Sequence, residues 1–223
     1  MIIAIDGPAG AGKSTVAKIL AKKLGFLYID TGAMYRALTL KVLNNNVSIK
    51  DEPEIIRLAE GIKIGLCNNS DGSLTVSLDG VDVSSAIRQV RITQLVSDVA
   101  KIKEVRSVLV KMQREFGQKG NCVLDGRDIG TVVFPHAQRK FFIDASVDVR
   151  VQRRFKELEG LGQSVVEKEV AFDLANRDKI DSTRQASPLR QAPDAVYIDT
   201  TNLTIEQVVE KMFNFCNTPI PDK

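Results

Sequence analysis

The sequence predicts an α/β fold in which helices wrap a five-stranded parallel sheet, with a small antiparallel β insert and a helical lid. Three observations predict it: short apolar runs that each end in Asp, helical patterns between these runs, and one segment that departs from the alternation. The five runs are Ile2–Asp6, Phe26–Asp30, Asn121–Asp125, Lys140–Asp144 and Ala195–Asp199. Because they lack clean polar alternation, they are typical of strands buried on both faces of a parallel sheet.

The segments between the runs carry the apolar period of helices. A helix is predicted after Gly12, closed by Gly25 as its C-terminal cap, and a second from about Ala33 to Leu43. A long helical stretch is predicted near Thr93–Phe116. Strands that alternate with helices indicate a doubly wound domain, which binds ligands at the carboxyl ends of its strands. The five Asp residues fall at those ends.

The segment 61–84 departs from this pattern. Leu74–Leu78 alternates with period two, and Asp71-Gly72 and Asp79-Gly80 are turn dipeptides. They predict a small antiparallel insert of up to three strands. We therefore divide the chain into a core (1–60, 93–149 and 189–217), an insert (61–92) and a helical lid (150–188), and we expect 218–223 to fray.

Composition and charge limit the function classes. The 223 residues suit one core domain with small inserts, and 43% apolar with 26% charged residues is an ordinary globular balance. A net charge of +3 without a long basic run argues against a nucleic-acid coat. No apolar run approaches the roughly 18 residues of a membrane helix, and the start lacks the features of a signal peptide. We expect a cytoplasmic monomer without nucleic-acid or membrane partners.

Cysteine and histidine are too scattered for a structural zinc site or a disulfide framework. Cys67, Cys122 and Cys216 lie far apart, and His136 is the single histidine. We expect buried or idle thiols and a surface histidine that is not a general base.

A phosphate-binding loop is predicted directly after the first run. Its residues are Gly7, Pro8, Ala9, Gly10, Ala11, Gly12, Lys13, Ser14 and Thr15, which match the P-loop pattern GxxxxGK[ST] between a strand and a helix. Backbone N–H groups of such a loop and the helix N-terminus bind the phosphates of a nucleoside triphosphate. We expect Lys13 to bridge the β- and γ-phosphate oxygens and the Ser14 hydroxyl to ligate Mg²⁺. The fold is thus predicted to be of the P-loop NTPase type.

The loop alone does not identify the phosphate acceptor, because GTPases, ATPase motors and small-molecule kinases share it. No Asn-Lys-x-Asp motif of the kind that GTPases use is present, and a motor usually needs a longer chain. A small-molecule kinase needs a second anion site that faces the first, and a mobile cationic lid.

Three arginine-bearing clusters could supply these parts. Asp30–Arg36 runs from a strand end into a helix and contains Thr31, and Leu124–Thr131 places Arg127 and two carboxylates just past another strand. The third cluster has Arg150, Arg153 and Arg154 on one helix face and Arg177, Asp181 and Arg184 on another.

Forked guanidinium groups suit the negative charge that spreads over a transferring phosphoryl group. A lid that closes with arginines also expels water from the site. Alternatively, Arg150 and Arg177 form ion pairs on a solvated helix face, and for these two we weigh both interpretations equally.

The sequence resembles the bacterial cytidylate kinases over nearly its whole length. The motifs that carry the resemblance are Gly7–Thr15, Asp30–Arg36, Asp125–Pro135, Asp144–Ser146, Ser187–Leu189 and Ala192–Ala195. The run Asp-Gly-Arg-Asp-Ile-Gly-Thr-Val-Val-Phe-Pro is highly specific to that family, and the insert corresponds to the enlarged nucleotide-binding insert of the bacterial enzymes.

The resemblance implies a role for each candidate residue. The acceptor phosphate would meet Arg36 and Arg127, with Thr31 nearby, and the sugar would meet Asp181 and Arg177. Ser97, Arg106 and Asp128 would read the cytosine edge; a carboxylate can accept a hydrogen bond from its exocyclic amine. Arg184, with Arg153 or Arg154, would reach from the lid toward the transferring phosphoryl group.

The predicted reaction is in-line transfer of the γ-phosphoryl group from ATP, with Mg²⁺, to CMP or dCMP, without a covalent intermediate. One rival is a kinase for another acceptor, such as UMP or a small hydroxylated metabolite. A second rival is a regulatory nucleotide switch or a nucleic-acid-binding P-loop protein, which would hydrolyse its nucleotide slowly without an acceptor.

Overall fold

The structure, a computed structural model, describes residues 1–219. Within this range the strands are β1 (Ile2–Asp6), β2 (Leu27–Asp30), β3 (Ile64–Asn68), β4 (Leu74–Leu78), β5 (Val81–Asp82), β6 (Cys122–Gly126), β7 (Arg139–Asp144) and β8 (Val196–Asp199). The α-helices are α1 (Lys13–Leu24), α2 (Thr31–Asn44), α3 (Glu52–Glu60), α4 (Val90–Ala100), α5 (Lys103–Gly117), α6 (Val147–Gly160), α7 (Glu167–Thr183) and α8 (Ile205–Asn217). Residues 220–223, the end of the segment that we expected to fray, lie outside the described residues.

The predicted fold class is confirmed. Five strands form a parallel sheet in the order β2-β6-β1-β7-β8, and β3-β4-β5 form a separate antiparallel sheet. The central strand β1 sends Ile3 and Ile5 into one apolar cluster and Ala4 into another. It is therefore buried on both faces, as its unbroken apolar sequence predicted.

The carboxyl ends of β2, β6 and β1 meet at one edge of the central sheet. The register aligns Asp30 with Asp125 and Asp6 with Gly126, so three of the five strand-terminal carboxylates stand side by side. The P-loop leaves β1 at this edge and enters α1, which ends at Gly25 in the left-handed conformation. The sheet thus brings the predicted phosphate loop and the first two arginine clusters together.

The prediction of one long helix near Thr93–Phe116 is wrong in one respect: the segment forms two helices, α4 and α5. Ile102 is extended between them, with φ −68° and ψ 120°, and its side chain is buried. Neither Gly nor Pro marks this break. The Ala100 carbonyl at the end of α4 accepts a hydrogen bond from Arg106 Nη1 at 3.1 Å, so a side chain of α5 satisfies the interrupted helix end.

The insert packs beside the edge of the central sheet. The Asn68 side chain, at the end of β3, accepts from the Tyr28 N–H at 3.1 Å and donates to the Tyr28 carbonyl at 3.0 Å. This amide therefore occupies the free backbone groups of the edge strand β2.

The helices α6 and α7 lie between β7 and β8 in the chain and enclose a small apolar cluster with Ala9 of the P-loop. The helix α6 begins at Val147, capped by Ser146, so the lid boundary that we placed at residue 150 falls inside it. The division into core, insert and lid stays a prediction. Among the described residues, no helix is long and apolar enough to cross a lipid bilayer.

Candidate active site

A cavity of about 800 Å³ opens between the P-loop, the carboxyl edge of the sheet and the helices α2, α4, α5, α6 and α7. Every predicted site residue lines it except Gly7 and Pro8. The lining includes Ala9, Gly10, Ala11, Gly12, Lys13, Ser14, Thr15, Thr31, Arg36, Ser97, Arg106, Arg127, Asp128, Arg153, Arg154, Arg177, Asp181 and Arg184. Residues from seven separate segments of the chain therefore meet in one concave site.

Gly7 and Pro8 contribute to the loop from behind the cavity. A Cβ atom at Gly7 would lie 1.9 Å from the Ile143 carbonyl oxygen of the neighbouring strand β7, so only glycine fits there. The Pro8 carbonyl accepts a hydrogen bond from Lys13 Nζ at 2.6 Å.

The P-loop itself is a backbone cradle. Gly10 and Gly12 adopt φ of +77° and +87°, which turn the chain around the start of α1. Lys13 is buried beside this cradle. Burial, together with the neighbouring Arg127 charge, lowers the pKa of the Lys13 ammonium to about 7.

Ser14 belongs to a hydrogen-bonded trio beneath the cradle. Its hydroxyl donates to Asp125 Oδ2 at 2.8 Å, and Tyr28 donates to Asp125 Oδ1 at 2.7 Å. Burial and the adjacent Asp30 charge raise the pKa of Asp125. A hydroxyl and a carboxylate so close together form an oxygen-rich donor set of the kind that Mg²⁺ prefers.

Arginines crowd the opposite wall of the cavity. Arg36 pairs with Asp30 at 3.0 Å, and Arg127 pairs with Asp181 at 2.9 Å. Arg177 Nε is buried and has no hydrogen-bond partner among the described residues. Burial, then the Arg127 charge, lowers the pKa of Arg177 to about 10.

Asp181 is shared by two of these arginines, because Arg184 Nη1 lies 3.3 Å from its other oxygen. Burial opposes ionisation of Asp181, but Arg127, Arg184 and Arg177 outweigh it and lower its pKa. Within residues 1–219, the ion pairs of the four guanidinium groups Arg36, Arg127, Arg177 and Arg184 involve only two carboxylates, Asp30 and Asp181. The excess positive charge favours an anion at this wall.

A buried ion pair lies at the far end of the cavity. Arg106 Nη2 donates to Asp128 Oδ2 at 2.5 Å, and both side chains are almost fully buried, at 4% and 5% exposure. The Arg106 guanidinium lies over the Tyr35 ring, 5.2 Å from its centroid. Ser97, on α4, is buried and lines the same cavity. The three residues assigned to base reading by resemblance thus come together.

The lid arginines point to different parts of the cavity. Arg153 donates to the Thr200 hydroxyl at 2.9 Å and to its carbonyl at 2.7 Å, near Gly12 of the P-loop. Its neighbour Arg154 donates to the Thr93 hydroxyl at 3.3 Å, on α4. Arg184 is buried against Asp181. The lid helix α6 therefore reaches from Thr200, beside the P-loop, to Thr93 on α4.

Arg150 is not on a solvated face. Its guanidinium donates to the Ala9 carbonyl at 3.0 Å and to Asp178 Oδ2 at 2.5 Å, and it is buried. Asp178 in turn accepts from the Ala9 N–H at 3.4 Å. This pair holds the P-loop backbone from the lid side, and the helical spacing of Arg150 gave no sign of it.

Two further carboxylates organise the site without being among the predicted site residues. Asp125 holds Ser14, and Asp6 accepts two backbone N–H groups from the loop that follows Asp128. The signal that could have found them is their common place at the carboxyl ends of adjacent strands, which marks them for the ligand edge but does not distinguish ligand from support.

Comparison with known proteins identifies the family to which this chain is similar. A family model described as cytidylate kinase matches residues 3–218. A relative named cytidylate kinase from Caldanaerobacter subterraneus subsp. tengcongensis is 56% identical over 211 residues, which cover 95% of this chain and 92% of that protein. One of the same name from Clostridioides difficile is 48% identical over 217 residues, covering 97% and 98% of the two chains.

Among solved structures, an uncharacterized protein from Eubacterium ventriosum superposes with a TM-score of 0.52 and 14% sequence identity, covering 98% of this chain and 99% of that one. At this identity the likeness concerns the fold alone.

Proposed function

The chain belongs to the cytidylate kinase family, and from this membership we propose that it transfers the γ-phosphoryl group of ATP to CMP and dCMP. The observation that carries the proposal is a single cavity with a P-loop at one end, a buried Arg106–Asp128 pair at the other and an excess of arginines between them. The three regions suit a triphosphate, a base and an acceptor phosphate, in that order.

The donor end would bind ATP through the backbone of Ala9–Thr15 and through Lys13. A phosphate brought next to Lys13 favours the protonated ammonium, which burial otherwise disfavours. Mg²⁺ would be held by Ser14, with Asp125 in support; their 2.8 Å contact fits a hard-oxygen site. When bound, the ion would neutralise charge on the phosphates.

The acceptor phosphate would bind to Arg36 and Arg127, with Thr31 at the start of α2. Thr31 donates its hydroxyl to the Asp125 carbonyl at 2.7 Å, which joins α2 to the end of β6. Arg177, whose Nε lacks a partner in the described chain, and Asp181 would meet the sugar. The excess of arginines over carboxylates supports a dianionic acceptor, because a phosphate supplies negative charge that the carboxylates do not.

Ser97, Arg106 and Asp128 would distinguish cytosine from uracil. Cytosine offers an amine donor at the position where uracil has a carbonyl acceptor. Asp128 already accepts from Arg106, and a carboxylate retains further lone pairs for the cytosine amine. Uracil would instead place a carbonyl oxygen against that carboxylate, which is repulsive.

Catalysis would consist of positioning and charge stabilisation. An ionised phosphate oxygen needs no general base, so direct in-line attack requires only alignment and neutralisation. Lys13, Arg127 and Arg184, with Arg153 or Arg154, would stabilise the charge on the transferring group. Contacts of the lid with both ends of the cavity support this assignment, since they let one movement exclude water and deliver arginines.

A panel of acceptors at fixed ATP and Mg²⁺ tests the proposal. We expect CMP and dCMP to give the highest kcat/KM, with UMP at least about tenfold lower because the site offers a carboxylate to the base. AMP, GMP and a hydroxylated acid such as gluconate serve as further acceptors. A different best acceptor would reject the assignment of the base, and ATP hydrolysis that does not depend on any acceptor would favour a nucleotide switch.

A further inference from the structure

Asp6 is a buried carboxylate that the proposed chemistry does not use. It ends β1, the central strand of the sheet, and its side chain is directed toward the loop after β6. Asp6 Oδ1 accepts the N–H of Ile129 and Oδ2 accepts the N–H of Gly130, each at 2.7 Å.

These two N–H groups begin an unusual turn. Ile129–Val133 form a single π-helical turn, and the N–H groups of Val132 and Val133 close it on the Asp128 carbonyl, at 2.9 and 3.1 Å. The first N–H groups of any helical turn have no partner within it, and π-turns are frequently found at functional sites. Asp6 supplies the missing acceptor, and with two charge-assisted hydrogen bonds it holds the backbone directly after Asp128.

Asp6 itself cannot shift easily. Its strand pairs with Gly126 of β6 on one side and Phe142 of β7 on the other. The next residue, Gly7, packs on the Ile143 carbonyl so closely that a Cβ atom would not fit. The carboxylate therefore stands at a rigid junction: its backbone starts the P-loop, and its side chain caps the turn that presents Asp128.

We propose that Asp6 is a positioning residue for base recognition, which keeps Asp128 aligned with Arg106 and connects the loop after β6 to the P-loop. This inference rests on the proposed function and adds a residue that touches neither substrate. Asp6 fixes the Asp128 backbone, the Asp128 carboxylate meets Arg106, and this pair faces the base.

A carboxylate is a costly choice at this place, which supports a specific role. Burial raises the pKa of Asp6 to about 7, despite the two N–H donors. Three charged groups face Asp6: Asp128 on the loop after β6, Lys13 at the P-loop and Lys140 on β7. The aliphatic part of the Lys140 side chain lies beside Gly130, next to Asp6 Oδ2. An apolar residue would avoid this cost but would leave two buried N–H groups without acceptors.

The test compares Asp6→Asn with wild type in the full-length chain. Asparagine keeps one acceptor oxygen but turns an amide N–H toward the second backbone N–H. We expect KM for CMP to rise on the order of tenfold and the preference for CMP over UMP to fall, while KM for ATP changes less than about twofold. Asp51→Asn is the matched control, since Asp51 also caps a helix start through one N–H, at Glu54, away from the cavity.

A wild-type measurement keeps the inference testable if Asp6→Asn folds poorly. CMP and UMP carry the same phosphate, so titration of the phosphate or of Lys13 cancels in the ratio of their kcat/KM values. Protonation of Asp6 below about pH 7 removes one acceptor, and we expect the CMP-over-UMP ratio to fall between pH 8 and pH 6.

The outcomes separate the two claims. If wild type prefers CMP but Asp6→Asn raises the KM values of CMP and ATP equally, or if the ratio is the same at both pH values, Asp6 is only structural and the inference is wrong. If wild type does not prefer CMP at all, the proposed function fails and the inference fails with it.

Discussion

The donor loop and the acceptor wall face each other across one cavity, but backbone groups form the first and side chains form the second. The donor loop is made of consecutive residues, Ala9–Thr15, and its shape comes from backbone torsions at Gly10 and Gly12. The acceptor wall is made of side chains from α2, α5, α7 and the loop after β6. Several of its charges are already paired, as in Arg106–Asp128 and Arg127–Asp181, and the remaining arginines give it excess positive charge.

This difference affects what a mutation does. In the donor loop Lys13 donates to a neutral carbonyl, so its removal breaks no hydrogen-bonded ion pair. In the acceptor wall, removal of one ion-pair partner leaves a buried charge behind, at a cost of about 3–5 kcal/mol in stability. Removal of Lys13 should therefore affect turnover rather than stability, and removal of one partner of an acceptor ion pair should affect both recognition and stability.

The largest expected effect tests the donor half of this comparison. Lys13→Ala should lower kcat/KM by about a thousandfold, because it removes a preorganised cation next to the transferring group. The melting temperature and the Kd for CMP, measured by calorimetry, should remain close to those of wild type. Lys23→Ala is the control: Lys23 also lies on α1 but pairs with Glu210 at the surface. A large loss of CMP affinity in Lys13→Ala would show that the two halves are not separate.

The next effect tests the acceptor half. Asp128→Ala should raise KM for CMP by up to about a hundredfold and leave KM for ATP nearly unchanged. It should also lower the free energy of unfolding by about 3–5 kcal/mol, since Arg106 remains buried without its partner. Steady-state kinetics and urea unfolding measure the two effects. Equal loss for CMP and ATP would reject the base-reading role.

A double variant separates recognition from stability at the same pair. Arg106→Met with Asp128→Leu replaces both charges by apolar groups of similar size, which often restores the stability of a buried pair. We expect unfolding near the wild-type value but no recovery of CMP binding. Recovery of both would mean that the pair has a structural role only.

The same contrast explains what could be predicted from the sequence. The P-loop and the strands that frame it were predictable because each depends on neighbouring residues: a glycine pattern, a Lys-Ser pair and apolar runs buried on both faces. The excess of arginines near strand ends was also visible, since Arg36 and Arg127 directly follow two such ends. Local patterns suffice where the backbone makes the site.

The acceptor site could not be derived in this way. Arg106 and Asp128 are 22 residues apart, and no spacing rule shows that α5 brings one to the other, so their roles came from the family resemblance. The break at Ile102, which directs Arg106 to the Ala100 carbonyl, has no glycine or proline to announce it. The helix α3 was missed, although Asp51 caps it and Pro53 lies in its first turn. Tertiary packing decides the first two, whereas the capping signals of α3 are local and could have predicted it.

Arg150 is an exception to this contrast, because a buried ion pair of side chains, Arg150–Asp178, supports the backbone of the donor loop. Arg150→Met should remove the hydrogen bond to the Ala9 carbonyl and leave Asp178 with its weaker contact to the Ala9 N–H. We expect KM for ATP to rise about tenfold and KM for CMP to change little. Arg190→Met, an exposed change outside the cavity lining, is the control. Unchanged ATP kinetics would show that the glycines alone hold the loop.

The smallest expected effect is the uptake of less than one proton when ATP binds, and it reports directly on the protonation of Lys13. With a pKa near 7 in the free protein, Lys13 is mostly neutral at pH 8. Bound phosphates favour the ammonium form, so ATP binding at pH 8 should take up most of one proton, by linkage. Calorimetry in two buffers of different ionisation enthalpy measures this uptake.

Three comparisons assign that proton to Lys13. CMP binding should take up much less, because the acceptor wall consists of arginines that stay protonated. Asp6→Asn should retain the uptake on ATP binding, and Lys13→Met should abolish it. Equal heats in both buffers for wild type would mean that Lys13 is charged before the nucleotide arrives. The donor loop would then resemble the acceptor wall, with its charge in place before the substrate binds, and the distinction between the halves would rest on the backbone alone.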